Sequence, residues 1–122
     1  MMAMRINVKA YQAGTEPAQD ADGQTMIVDG RPLTRAVMLD PREVLVNLVL
    51  HPQRQLTGAE MYEAHKLAAK IEAAEGESLL LSVEDYQALR RAMEQVRGYV
   101  PAHRELVRRV WEAAETPVTP KE

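Results

Sequence analysis

Residues 40–60 read DPREVLVNLVLHPQRQLTGAE and contain the signals for one complete helix and for the start of a second. Asp40 is a residue type favoured at an N-cap, and Pro41 suits the first helical position because its missing N–H would have no partner there. Pro52 ends the helix, since a proline inside a helix removes a hydrogen bond and clashes with the preceding turn. The stretch therefore predicts a first helix over residues 41–50.

Three further helices are predicted downstream of this stretch. Thr57 and Glu60 have the spacing of a capping box, and Ser82 stands at the N-cap position before a run with apolar residues three and four positions apart. Gly76 and Gly98 are expected to end the second and third helices, because glycine readily adopts the left-handed conformation of a helix exit. The predicted ranges are 58–75, 83–97 and 101–115.

The N-terminal third of the chain is predicted to contain β-strands. Residues 5–11 alternate polar and apolar side chains, with Ile6 and Val8 on one face, which is the period of a half-buried strand. Asp29-Gly30 is a strong tight-turn dipeptide between the apolar residues 26–28 and a second hydrophobic pattern over residues 33–39. These segments indicate a β-hairpin before the first helix.

Two segments show no hydrophobic periodicity. Residues 12–24 combine Gly, Pro, Asp and Thr and are predicted to form a mobile loop, and residues 116–122 are predicted to be a disordered tail. At 122 residues the chain has the length of a single domain, which we expect to cover residues 1–115. The expected fold class is α+β, with an N-terminal β-hairpin packed on a bundle of three to four α-helices.

Composition restricts the classes of protein to consider. The chain has no cysteine, which excludes disulfides, thiolate zinc sites and a cysteine nucleophile. No apolar run approaches the roughly 20 residues that a membrane span needs, and the first residues lack the apolar stretch of a signal peptide. The formal net charge of −3 does not favour bulk attraction to nucleic acid. We therefore expect a cytoplasmic protein without membrane contact.

Few residues have the type and spacing that catalysis or metal binding requires. His51, His65 and His103 are too far apart in sequence for a zinc site on one helix face. Helix capping accounts for the hydroxyls of Thr57 and Ser82, and no catalytic or nucleotide-binding motif is present. We predict that the protein is not an enzyme and uses no metal and no cofactor. Hydrolysis by carboxylates of the second helix together with His65 is the last alternative.

The last two predicted helices carry a run of arginines with aromatic residues nearby. Guanidinium groups bind phosphates and carboxylates, so this arginine face could meet nucleic acid or an acidic protein. Six acidic residues balance six arginines over residues 82–115, and Glu105 forms a favourable helix pair with Arg109, so a solvated surface is the alternative interpretation. The candidate binding residues are Arg90, Arg97, Tyr99, Arg104, Arg108 and Trp111.

Several segments occur in an order that suggests a family. They are DG at 22–23, DGRPLT at 29–34, VLVNLVL at 44–50, LTGAE at 56–60, LAAKI at 67–71, LSVED at 81–85 and the final Trp111. In this order the chain resembles a group of small uncharacterised proteins encoded by tailed bacteriophages and prophages. The resemblance implies an accessory role in a phage, and it implies no catalytic pattern and no functional residue.

These observations favour a protein-binding module over an enzyme. One core is not expected to absorb all of Val46, Leu50, Tyr99 and Trp111, so some of these residues are expected to anchor a partner. A phage origin would make the protein an assembly factor or a modulator of a host protein. Self-association through the apolar stripe of the third helix is open, and binding of nucleic acid by the arginine face is the alternative function.

Overall fold

The computed structural model describes residues 2–19 and 21–117. In this part of the chain, five N-terminal strands are followed by two helices, a sixth strand, two further helices and a last strand. The strands are β1 (Met2–Asn7), β2 (Tyr11–Pro17), β3 (Ile27–Val28), β4 (Arg31–Pro32), β5 (Thr34–Leu39), β6 (Ser78–Ser82) and β7 (Ala114–Pro117). The helices are α1 (Pro41–Val49), α2 (Gly58–Ala73), α3 (Val83–Gln95) and α4 (Arg104–Trp111), and short 3-10 turns cover Pro52–Arg54 and Pro101–His103.

The body of the protein is an antiparallel sheet with strand order β6-β1-β7, and α3 and α4 lie against it. Ile6 of β1 stands opposite Leu79 of β6, and both side chains are buried in the core. α1 packs on α2 and α3 and contributes Leu45 and Val49 to the same core. The predicted α+β class is confirmed by this combination of antiparallel strands and helices.

The predicted N-terminal helix signals form the expected hydrogen bonds. The backbone N–H of Arg42 donates to the Asp40 carboxylate over 3.1 Å at the start of α1. Thr57 and Glu60 form both bonds of the capping box, each 3.2 Å long. The Ser82 hydroxyl caps α3 by accepting the backbone N–H of Asp85 over 3.1 Å. Each cap satisfies a backbone donor that has no partner within its helix.

The helices end earlier than the sequence predicts. α2 ends at Ala73 and α3 at Gln95, each two residues before the expected position, because Ala74 and Val96 adopt extended backbone conformations. The glycines further on do have positive φ, 78° at Gly76 and 98° at Gly98, but they lie in the connections rather than at the helix exits. The apolar residues Tyr86, Leu89 and Met93 of α3 are buried in the core of the protein.

Two strands of the sheet were not predicted. Leu79 and Leu81 of β6 are buried while Leu80 between them is 48% exposed, which is the alternation of a strand with one face on the core. β7 includes Thr116 and Pro117, which stand opposite Ala3 and Met2. The prediction of helix up to residue 115 and of a disordered tail from 116 is therefore wrong as far as residue 117, and residues 118–122 lie outside the described part.

Residues 11–19 and 21–39 form an extended structure that we call the β-arm. β2 and β5 pair from Tyr11 opposite Leu39 to Pro17 opposite Thr34, and β3 and β4 pair beyond them around Asp29-Gly30. Both turn residues have positive φ, 51° and 74°, as a tight hairpin turn requires. The predicted hairpin is thus present but much longer than expected. The prediction of a mobile loop is wrong for residues 12–17, which belong to β2.

Replacement of Leu79 by alanine is expected to lower the free energy of unfolding by about 2–5 kcal/mol, because it opens a cavity beside Ile6. Replacement of the neighbouring Leu80, which faces solvent, is expected to change it by only about 0.5 kcal/mol. Urea unfolding followed by circular dichroism measures both values. Equal losses for the two variants would contradict the observed orientation of β6.

Candidate functional site

Arg90 and Trp111 pair with each other. The guanidinium carbon of Arg90 lies 4.7 Å from the centroid of the Trp111 ring, which is a cation–π contact between α3 and α4. The Trp111 side chain is 38% exposed, so the indole is neither a core residue nor a free anchor. Arg90 is half-buried by this contact and presents little of its charge to a ligand.

Arg108 is engaged in ion pairs along α4. Its guanidinium donates to Glu105 over 2.5 Å and to Glu112 over 2.9 Å, and Arg109 donates to the same Glu105 carboxylate over 3.1 Å. These hydrogen bonds lower the pKa of Glu105 to about 2. The prediction that Glu105 and Arg109 form a helix pair is confirmed. Arg108 is therefore neutralised within its own helix.

The remaining predicted binding residues lie elsewhere. Tyr99 is 37% exposed, donates its hydroxyl hydrogen to the carbonyl of Met93 over 2.8 Å and packs edge-on against His103, and partial burial raises its pKa. Arg97 and Arg104 are exposed. The structure thus places the six predicted residues in different surroundings.

The end of the β-arm carries the exposed apolar side chains that sequence analysis did not single out. Ile27 is 67% exposed and Val28 51% exposed, although both lie in a paired strand. Met26 and Leu33, joined by a backbone hydrogen bond, are each 40% exposed directly beside them. We call these four residues the arm tip. The sequence contains a signal for the arm tip. Asp29-Gly30 separates two short apolar segments, and no buried strand pairs with these segments.

The other end of the β-arm is fixed to the body through Tyr11. Its hydroxyl donates to the carbonyl of Ala102 over 2.9 Å and accepts the N–H of Leu106 over 3.2 Å. The guanidinium of Arg109 lies 4.8 Å from the centroid of its ring and donates to the Lys9 carbonyl over 2.7 Å. Burial raises the pKa of Tyr11, so the hydroxyl keeps its proton near neutral pH. The root of the arm is therefore held by directional bonds.

The described part of the chain offers no cluster of metal-binding side chains. No three His, Asp or Glu side chains among the described residues lie close enough to hold a metal ion. Glu60 is committed to the capping box, and His65 is exposed on α2. None of the described helices is long and apolar enough to cross a bilayer.

Comparison with protein-family models, with curated proteins and with solved structures finds no match for this chain. Its resemblance to small phage proteins therefore stays a prediction. The arm tip brings four exposed apolar side chains together at the end of one hairpin.

Replacement of Tyr11 by phenylalanine removes the hydroxyl that joins the β-arm to Ala102 and Leu106. We expect a loss of about 1–3 kcal/mol in the free energy of unfolding, because one buried donor and one acceptor lose their partner. We also expect faster amide hydrogen exchange in β2 and β5 than in the wild type. Tyr62→Phe is the matched control, since Tyr62 is 62% exposed on α2. Unchanged exchange in β2 and β5 would show that the root is held by other contacts.

The low pKa of Glu105 predicts how stability changes in acid. The ordinary pKa is 4.5 and the folded-state value is about 2, so the folded protein binds fewer protons than the unfolded chain between these values. The Glu105 contribution is complete above pH 4.5 and is lost as the pH falls to about 2. Thermal unfolding across this range should show the wild type and Glu105→Gln converging as the pH falls. A constant difference in Tm would contradict the ion-pair assignment.

Proposed function

We propose that this chain is a non-enzymatic protein-binding module that contacts its partner through the arm tip. The observation that carries the proposal is the exposure of Met26, Ile27, Val28 and Leu33 at the end of an ordered hairpin. Large groups of exposed apolar side chains mark interaction surfaces on folded proteins. The body has its own buried core and does not use these residues.

The construction of the β-arm supports the proposal. A two-stranded ribbon is only marginally stable in water, because it has no second layer to bury its side chains. The Tyr11 bonds fix one end of the ribbon to the body. At the other end of the ribbon, a partner that buries the arm tip would provide the second layer that the ribbon lacks. An apolar groove on a folded protein is the kind of surface that fits this tip.

The charges of the β-arm favour a protein over a nucleic acid. Residues 11–39 contain four acidic residues and two arginines, so the arm is negative overall and repels phosphate. The alternative function, nucleic-acid binding by the arginine face, loses support because Glu105 and Glu112 neutralise Arg108 and because Arg90 is stacked on Trp111. The phage accessory role, as assembly factor or modulator of a host protein, is proposed from the resemblance alone.

The double variant Ile27→Ser and Val28→Ser tests the proposal. Loss of two exposed apolar side chains from the contact is expected to weaken binding about tenfold or more, while stability changes little because both residues face solvent. Affinity capture from nuclease-treated lysate of the source cells, followed by mass spectrometry and titration with the captured partner, measures the effect.

Tyr62→Ser is the matched control, because Tyr62 is an equally exposed side chain on the body. Its partner binding should equal that of the wild type. Retention of the partner by the Ile27 and Val28 variant would contradict the role of the arm tip. Loss of every partner on nuclease treatment would instead support the arginine face.

A further inference from the structure

A cavity of about 250 Å³ lies on the body between α1 and the segment that follows α3. One part of its wall is apolar and is formed by Val44, Leu48 and Val96. The other part includes two imidazoles, those of His51 and His103. The position of the proton on each imidazole follows from their hydrogen bonds.

Both imidazoles use Nδ1 as an acceptor. The backbone N–H of Gln53 donates to Nδ1 of His51 over 3.1 Å, and the backbone N–H of Val100 donates to Nδ1 of His103 over 3.3 Å. An accepting nitrogen carries no proton, so the neutral imidazole carries its proton on Nε2. Each ring therefore offers an Nε2–H donor on the edge away from its backbone bond. Two such donors in one cavity wall suit an acceptor ligand.

A third donor, the Arg97 guanidinium, belongs to a residue whose backbone is held by Gln53. The Gln53 side chain accepts the backbone N–H of Arg97 over 2.9 Å and donates to the Arg97 carbonyl over 3.3 Å. The same residue also donates its backbone N–H to His51, so one short turn positions both His51 and Arg97 at the cavity. The Arg97 guanidinium has no described hydrogen-bond or ion-pair partner within residues 2–19 and 21–117. It is therefore an uncommitted cation at the cavity rim.

We infer that this cavity binds a carboxylate that carries a short branched apolar substituent. The carboxylate oxygens accept from the two Nε2–H groups and from the Arg97 guanidinium, and the substituent packs on Val44, Leu48 and Val96. This inference is independent of the arm tip.

Ligands of other chemistry fit less well. A metal ion needs a free lone pair on imidazole nitrogen, and here Nδ1 is occupied by a backbone N–H while Nε2 carries the proton. Inorganic phosphate would leave the apolar wall without a contact. A volume of about 250 Å³ is at the small end for ligand cavities and accommodates one branched side chain with its carboxylate. Such a carboxylate occurs in short-chain acids and at the C-terminus of peptides.

Isovalerate is the first probe, and isovaleramide, of the same shape without charge, is its control. Titration followed by amide NMR should give saturable shifts for residues 47–53 and 96–103 with isovalerate, and about tenfold weaker binding with the amide. A peptide that ends in leucine, tested with a free and with an amidated C-terminus, distinguishes the two sources. Tighter binding of the free peptide than of isovalerate assigns the site to peptide ends, and the reverse assigns it to small acids.

Two variants test the named donors. His51→Asn keeps an acceptor for the Gln53 N–H, because asparagine is a good N-cap, but removes the Nε2–H. Arg97→Gln removes the charge, and Arg104→Gln removes the same charge at an exposed position outside the cavity. We expect about tenfold weaker binding of isovalerate by the first two variants and unchanged binding by the third.

The inference also predicts the tautomer of both histidines directly. At about pH 8, where free imidazole is neutral, nitrogen NMR should show the proton of His51 and His103 on Nε2. A proton on Nδ1 would overturn the inference, as would equal affinity for isovalerate and isovaleramide. Equal affinity of wild type, His51→Asn and Arg97→Gln would overturn it as well.

Discussion

β1 pairs on one side with β6 and on the other with β7, so the first residues of the chain join two segments from its C-terminal half. The register of this pairing places Ile6 opposite Leu79 and directs both side chains to the helices. α3 and α4 can bury their apolar faces only because this sheet provides a second layer. The buried Tyr86 hydroxyl, which donates to the Val110 carbonyl, joins the two helices over the sheet.

The body so formed supports two surfaces of different chemistry. The β-arm leaves it at Tyr11 and carries the exposed arm tip at its far end. The cavity between α1 and the segment after α3 is lined instead by donors and by a small apolar wall. The 3-10 turn at Pro101–His103 takes part in both, because Ala102 holds the root of the arm and His103 lines the cavity. The root of the β-arm and the cavity thus meet at one turn.

Local signals predicted the helices well because their causes are local. Asp40, Thr57 and Ser82 cap helices through bonds to residues two or three positions away, so the sequence contains both partners. β6 was missed for the opposite reason, since Leu79-Leu80-Leu81 becomes a strand only when β1 lies beside it. The surroundings of several candidate binding residues also depend on contacts between distant parts of the chain. The sequence predicts one arginine face that includes Arg90, Arg97, Arg104 and Arg108. The surroundings of these arginines depend on contacts with Trp111, Gln53 and the acidic residues of α4.

The sequence by itself determined the α+β class, the starts of the first three helices and the tight turn at Asp29-Gly30, because each depends on backbone preferences and on bonds between near neighbours. Only the tertiary structure decided which apolar residues remain exposed. Ile27 and Leu79 are similar side chains in short strands, yet one is 67% exposed and the other 1%. The difference arises because β6 pairs with a strand that helices cover, whereas β3 pairs only with its own hairpin partner.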